Sequence, residues 1–161
     1  MSNRPAATLR AAVAAVLFAA ATPAFAEGPF SALQGSWSGG GTINMRDGST
    51  ERLRCRATYA VGGGGNSATQ NLRCASDSYR VDISSNVVAS GGSLSGSWSE
   101  TSRGVSGQLS GQVNGDNISA TVSGSGFGAG IAIATRGPSQ SVSIRVNGGD
   151  VQSVALSLQK Q

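Results

Sequence analysis

Arginine is the residue type in this sequence best suited to binding chemistry, because none of the 161 residues is histidine. Without an imidazole, the chain has no Ser-His or Cys-His dyad, no histidine general acid or base and no histidine metal ligand. A planar guanidinium is suited to bidentate recognition of carboxylate or phosphate. One side of the predicted sheet is therefore a candidate anion- or partner-binding face, formed by Arg52, Arg54, Arg56, Arg73 and Arg80.

The same arginines have a simpler interpretation as a solvated outer face. Charge on such a face keeps the protein soluble and prevents strand edges from pairing with other chains. Glu51, Asp77 and Asp82 are close enough in sequence to serve as local partners. Both interpretations place the guanidinium groups outside the core.

The remaining polar side chains do not form a catalytic pattern. Most carboxylates fall in predicted turns or at outward positions, whereas a glycosidase needs two facing carboxyls in a cleft. The many serines lack a G-x-S-x-G elbow and a histidine to activate them. We therefore predict that the protein is not an enzyme, with no catalytic residues, no metal site and no cofactor.

The two cysteines, Cys55 and Cys74, are an even pair without C-x-x-C spacing or further metal ligands. In an oxidising compartment such a pair is expected to form one disulfide. Closing a loop of this size stabilises a fold by roughly 3 kcal/mol in the chain-entropy model.

Residues 1–26 have the pattern of a secretory signal peptide. Arg4 and Arg10 precede an apolar stretch, and the small-residue site Ala24-Phe25-Ala26 predicts cleavage after Ala26. The stretch from 11 to 26 is shorter than the roughly 20 residues that a spanning helix needs. We expect a bacterial periplasmic or secreted protein with no membrane span after cleavage, and a single domain over residues 27–161.

The charge of that domain is modest. Of the 12 basic residues two lie in the leader, which leaves ten against eight acidic residues and a net charge of +2. A nucleic-acid binder is expected to carry a denser positive field. Nucleic acid is therefore not predicted as a partner.

After Leu33 the sequence alternates with period two, and Gly, Asn, Asp and Ser clusters interrupt it every 8 to 12 residues. Short turns join each strand to the next, and such a meander loses its exposed edges by closing on itself. The pattern predicts an all-β fold, a single antiparallel meander β-barrel of about eight to ten strands. The predicted strands cover 34–45, 51–61, 70–76, 79–88, 93–101, 104–113, 116–124, 128–136, 139–147 and 151–159.

The alternation also assigns faces. Leu53, Cys55 and Ala57 point to one side of the second strand and the arginines to the other, while Cys74 shares the apolar side of the next strand. The glycine-rich connection from Gly62 to Thr69 is expected to be a flexible loop, since no helix follows it to form a phosphate site.

The segment Leu33-Gln34-Gly35-Ser36-Trp37 resembles the Leu-x-Gly-x-Trp opening of calycin-type barrels, a group that includes lipocalins, avidins and bacterial periplasmic metalloprotease inhibitors. In those families the Trp closes the barrel bottom, often beneath an Arg from a late strand. The resemblance implies this role for Trp37, with Arg136 or Arg145 packing on it through a cation-π contact.

A second copy of the opening motif ends at Trp98. It starts at Leu94, 61 residues after Leu33, and suggests two related halves of one barrel. Trp98 is therefore grouped with Trp37 as a barrel-closing residue.

These observations favour a non-enzymatic binding protein of the bacterial envelope. Its expected partner is a small hydrophobic or anionic ligand, or an envelope component such as a protein. Two alternatives remain: a periplasmic inhibitor of a protease or other hydrolase, acting through residues 27–32 or a loop, and a structural envelope protein without a small ligand.

Overall fold

The computed structural model describes residues 27–161, so the predicted signal peptide lies outside the described residues. Ten antiparallel strands follow one another around a closed barrel, which confirms the all-β meander. The strands are β1 (Gly35–Met45), β2 (Thr50–Gly62), β3 (Ser67–Ala75), β4 (Arg80–Ser90), β5 (Ser93–Glu100), β6 (Val105–Asn114), β7 (Asn117–Gly124), β8 (Phe127–Arg136), β9 (Ser139–Asn147) and β10 (Val151–Lys160).

The barrel closes where β1 pairs with β10. This seam runs from Trp37 opposite Lys160 to Met45 opposite Val151, with one irregularity near Met45. Because every strand has a hydrogen-bonded neighbour on both sides, the sheet has no free edge.

The two-residue period separates the inner and outer faces as predicted. Along β2, Leu53, Cys55 and Ala57 are buried, whereas the arginines between them are exposed. Cys55 lies directly opposite Cys74 on β3, and the two form the predicted disulfide with a Cα–Cα distance of 4.2 Å.

A short N-terminal segment covers the end of the barrel at which β1 begins. Residues Ser31–Leu33 form a single 3-10 turn, and both Phe30 and Leu33 are buried. The indole Nε1 of Trp37 donates to the carbonyl oxygen of Leu33 at 2.8 Å. Trp37 thus lies directly beneath the segment that closes this end.

The glycine-rich connection after β2 differs from the prediction of a flexible loop. Its residues Gly63–Gly65 form a 3-10 turn, and β3 begins at Ser67 rather than near residue 70. The amides of Gly28 and Phe30 donate to the carbonyl oxygens of Gly64 and Gly65 at 2.8 and 2.9 Å. The connection is ordered because it anchors the N-terminal segment.

The predicted arginine partner of Trp37 is wrong. The cation over its ring is Lys160, whose Nζ lies 5.7 Å from the ring centroid and donates to the carbonyl oxygen of Ala32 at 3.1 Å. Lys160 has this place because it pairs directly with Trp37 across the seam. Arg136 and Arg145 are exposed instead.

The second tryptophan does not share the position of the first. Trp98 packs in a separate cluster with Val122 and Ala129, and its ring meets that of Phe127 edge-on at 5.3 Å. Phe127 begins β8, at the end of the barrel opposite the N-terminal segment. The repeated motif therefore does not give two equivalent closures.

Glycines inside several strands let neighbouring backbones approach closely. A Cβ built on Gly41 in the seam would lie 1.8 Å from the carbonyl oxygen of Ala155, and one on Gly107 would lie 1.6 Å from that of Ser123. Real Cβ atoms cannot approach so closely, so these positions exclude every other residue. Glycine in a strand interior marks such tight bends in barrel walls.

We expect Gly41→Ala to lower the free energy of unfolding by about 1–3 kcal/mol or more, because the added methyl group overpacks the seam. The matched control is Gly130→Ala on β8, where a Cβ would meet nothing within 4 Å. That change should be neutral or stabilising by about 0.4–1 kcal/mol through the unfolded chain. Urea unfolding of both variants checks this, and equal stabilities would contradict the packing account of the seam.

Candidate functional site

A chain of polar side chains crosses part of the barrel interior. The Tyr59 hydroxyl donates to Oε1 of Gln140 at 3.0 Å and accepts from Nε2 of Gln70 at 3.1 Å. The chain continues from Gln140 to Oγ1 of Thr135 at 3.2 Å, and Ser85 donates to Gln70 at 3.0 Å. We call these five residues the interior polar cluster.

Sequence reasoning missed this cluster. Its signal is the presence of glutamines, Gln70 and Gln140, at inward positions of alternating strands, where apolar residues are the norm. All members but Gln70 are buried, and Gln70 is only partly buried. Burial raises the pKa of the Tyr59 phenol, although its hydrogen bonds with Gln70 and Gln140 act in the opposite direction. The hydroxyl is therefore neutral and serves as both donor and acceptor.

The inner lining differs between two parts of the wall. On β2 and β3 the inward apolar residues are almost all buried. On β6 to β9 many inward aliphatic residues are partly exposed, although these strands belong to the closed wall. Examples are Leu109, Ile131, Ile133 and Ile144. The lining that meets solvent is thus mostly aliphatic.

The predicted arginines come together on the outer wall of β2 to β4, and we call this set the arginine face. Arg56 lies directly opposite Arg73, while Arg54 and Arg80 flank Ala75 from the two neighbouring strands. Arg52 continues the β2 row toward the start of that strand, away from the N-terminal segment. Among residues 27–161, the ion pair of this face joins Nε of Arg73 to Oδ2 of Asp82 at 3.1 Å.

Two carboxylates that could have suggested catalysis instead hold turns in place. Glu51 accepts hydrogen bonds from the hydroxyls of Ser76 and Ser78 in the β3–β4 connection, and these bonds lower its pKa. Glu51 thereby ties β2 to the β3–β4 connection.

Glu100 organises the turn after β5. Burial raises its pKa, but N–H donors of Asp82, Ser102 and Arg103 outweigh this effect, so the pKa lies below its ordinary value. The Arg103 guanidinium lies 3.6 Å from the same carboxylate and stacks 4.3 Å above the ring centroid of Tyr79.

Comparison with known proteins supports the architecture. No protein-family model and no curated protein matches the chain. Among solved structures, Rv2717c from M. tuberculosis superposes with a TM-score of 0.66 at 18% identity over 81% of this chain and 94% of its own. The S-type phycobiliprotein lyase CPES from Guillardia theta gives a TM-score of 0.62 at 10% identity over 82% and 89%.

At these identities the likeness establishes the fold, and the fold is calycin-like. This agrees with the resemblance of the opening motif. Within residues 27–161, no helix has the length and apolar character required to span a bilayer.

Replacing Tyr59 by Phe should lower the free energy of unfolding by about 1–3 kcal/mol, because the buried amide of Gln140 and the partly buried amide of Gln70 each lose a partner. Tyr79→Phe is the matched control, since the Tyr79 ring is partly exposed beneath Arg103. We expect that change to remain within about 0.5 kcal/mol. Chemical denaturation measures both, and a wild-type midpoint for Tyr59→Phe would show that the cluster does not stabilise the barrel.

Glu100→Gln should also destabilise the fold by about 1–3 kcal/mol near pH 7, because hydrogen bonds to a charged acceptor are lost. A carboxylate whose pKa is lowered on folding stabilises above its unfolded pKa of about 4.3 and loses that contribution as pH falls through the folded value. The gap between wild type and variant should therefore shrink on acidification. Unfolding curves at several pH values test this, with the exposed Asp116→Asn as control; a constant gap would contradict it.

Proposed function

We propose that the chain is an exported, non-enzymatic binding protein that holds a small hydrophobic ligand inside its barrel. One observation carries the proposal: inward aliphatic residues of β6 to β9 remain partly exposed in a wall that closes completely. Leu109, Ile131 and Ile144 would contact the apolar body of the ligand.

The interior polar cluster would bind one polar end of that ligand. Small-molecule sites combine an apolar lining with a few placed polar groups. Gln70 is the partly exposed member of the cluster, and its amide is held on both sides by Tyr59 and Ser85. A hydroxyl or carbonyl group of the ligand could therefore bond to a preoriented amide.

The disulfide supports the exported location in this proposal. The Cys55–Cys74 disulfide persists in oxidising compartments and is rare in the cytosol. Together with the leader predicted over residues 1–26, the disulfide supports a ligand that is met in the periplasm or outside the cell.

The alternative of a hydrolase inhibitor acting through residues 27–32 has less support. That segment is hydrogen-bonded across the barrel end, and Phe30 keeps only 2% of its surface exposed. Inserting the segment into an enzyme would require breaking these contacts. The second alternative, a structural envelope protein without a ligand, is distinguished by mass spectrometry of natively purified protein.

A neutral naphthylamine dye that fluoresces in apolar surroundings tests the proposed cavity. We expect the protein to bind it, and Leu109→Trp to weaken binding at least about tenfold by filling space, with little loss of stability. Ser110→Trp adds the same ring to the outward face of the same strand and should leave affinity unchanged.

Two outcomes would contradict the proposal. If Leu109→Trp unfolds the protein, the interior is already packed; if both tryptophan variants bind the dye equally, the dye sits elsewhere. Mass spectrometry of natively purified protein adds an independent test. A retained small molecule supports the proposal, and a co-purifying hydrolase supports the inhibitor. If the protein retains no small molecule and no hydrolase, the result supports a structural role.

A further inference from the structure

The arginine face carries a local excess of positive charge. It sets five guanidinium groups against the single paired carboxylate of Asp82. Residues 27–161 as a whole carry only two more basic than acidic residues. The positive charge of the described chain is therefore concentrated on this part of the outer wall.

The arrangement acts against stability. Arg56 and Arg73 are direct cross-strand partners, and like charges in such pairs are destabilising. Among the described residues, the carboxylate of Asp82 forms an ion pair with Arg73 alone. The disulfide joins the adjacent pair Cys55 and Cys74 on the inner side, so a covalent bond holds the two charged strands together.

The β2 row has a regular spacing. Alternate residues of a strand lie about 6.6–6.8 Å apart, so Arg52, Arg54 and Arg56 present charges over about 13 Å. The neighbouring outer positions of β1 carry small neutral residues: Arg52 lies beside Thr42, Arg54 beside Gly40 and Arg56 beside Ser38. A polymer could lie along the row without meeting a bulky or acidic side chain.

From this placement we propose that the arginine face binds an acidic polysaccharide, a sugar polymer with carboxylates at regular intervals. Guanidinium groups would bind the carboxylates in bidentate fashion. The hydroxyls of Ser38 and Thr42 on β1 would bond to sugar hydroxyls. This site lies outside the barrel and is independent of the interior ligand.

The surrounding surface disfavours other polyanions. Single-stranded nucleic acid is usually held by aromatic rings that stack on its bases, and the outward positions of β1 to β3 carry no aromatic residue. A lipid surface is planar, whereas the barrel wall curves from β2 to β4, so the charges cannot all approach it together.

Binding of a fluorescein-labelled oligogalacturonate, followed by fluorescence anisotropy at low salt, tests the proposal. We expect the double variant Arg54→Gln/Arg56→Gln to weaken binding at least about tenfold. The control Arg136→Gln/Arg145→Gln removes the same charge from exposed positions on β8 and β9 and should change affinity less than about twofold.

Three results would overturn the proposal: no binding of the wild-type protein, equal losses in the two double variants, or tighter binding to phosphatidylglycerol vesicles than to the oligosaccharide. A second measurement covers folding. Because it relieves the pair with Arg73, Arg56→Gln alone should raise the thermal midpoint while weakening binding; a lower midpoint would contradict the like-charge argument.

Discussion

The seam between β1 and β10 is the constraint on which the rest of the structure depends. Gly39 and Gly41 face carbonyl oxygens of β10 at distances that leave no room for a side chain. Opening this seam would expose two strand edges and separate Trp37 from Lys160. A chain with few aromatic residues thus obtains a continuous wall through close backbone approach rather than through bulky side chains.

Closure also brings together polar side chains in the barrel interior. Tyr59 on β2 reaches Gln140 on β9 across the intervening β1 and β10, so the interior polar cluster exists only in the closed barrel. On the outer side, the pairing of β2 with β3 sets Arg56 against Arg73. Inner and outer chemistry are therefore separated by one layer of backbone.

The sequence predicted the repeating features well because strand alternation is local. Period two and the turn clusters predicted about eight to ten strands, and period two predicted the burial of Cys55 and the exposure of Arg54. Contacts between residues that are far apart in the sequence could not be predicted from this local pattern. The partner of Trp37 depends on the pairing of β1 with β10, and Tyr59 is 81 residues from Gln140. The connection after β2 looked flexible because its bonds to Gly28 and Phe30 have no local signature.

The central claim is that the closed wall surrounds apolar space. Xenon binds in such space without needing hydrogen bonds, so a crystal of the protein placed under xenon pressure tests it most directly. We expect anomalous density inside the barrel, in contact with Leu109, Ile131 and Ile144. Side chains filling that volume, with xenon absent or bound only on the outer surface, would contradict it.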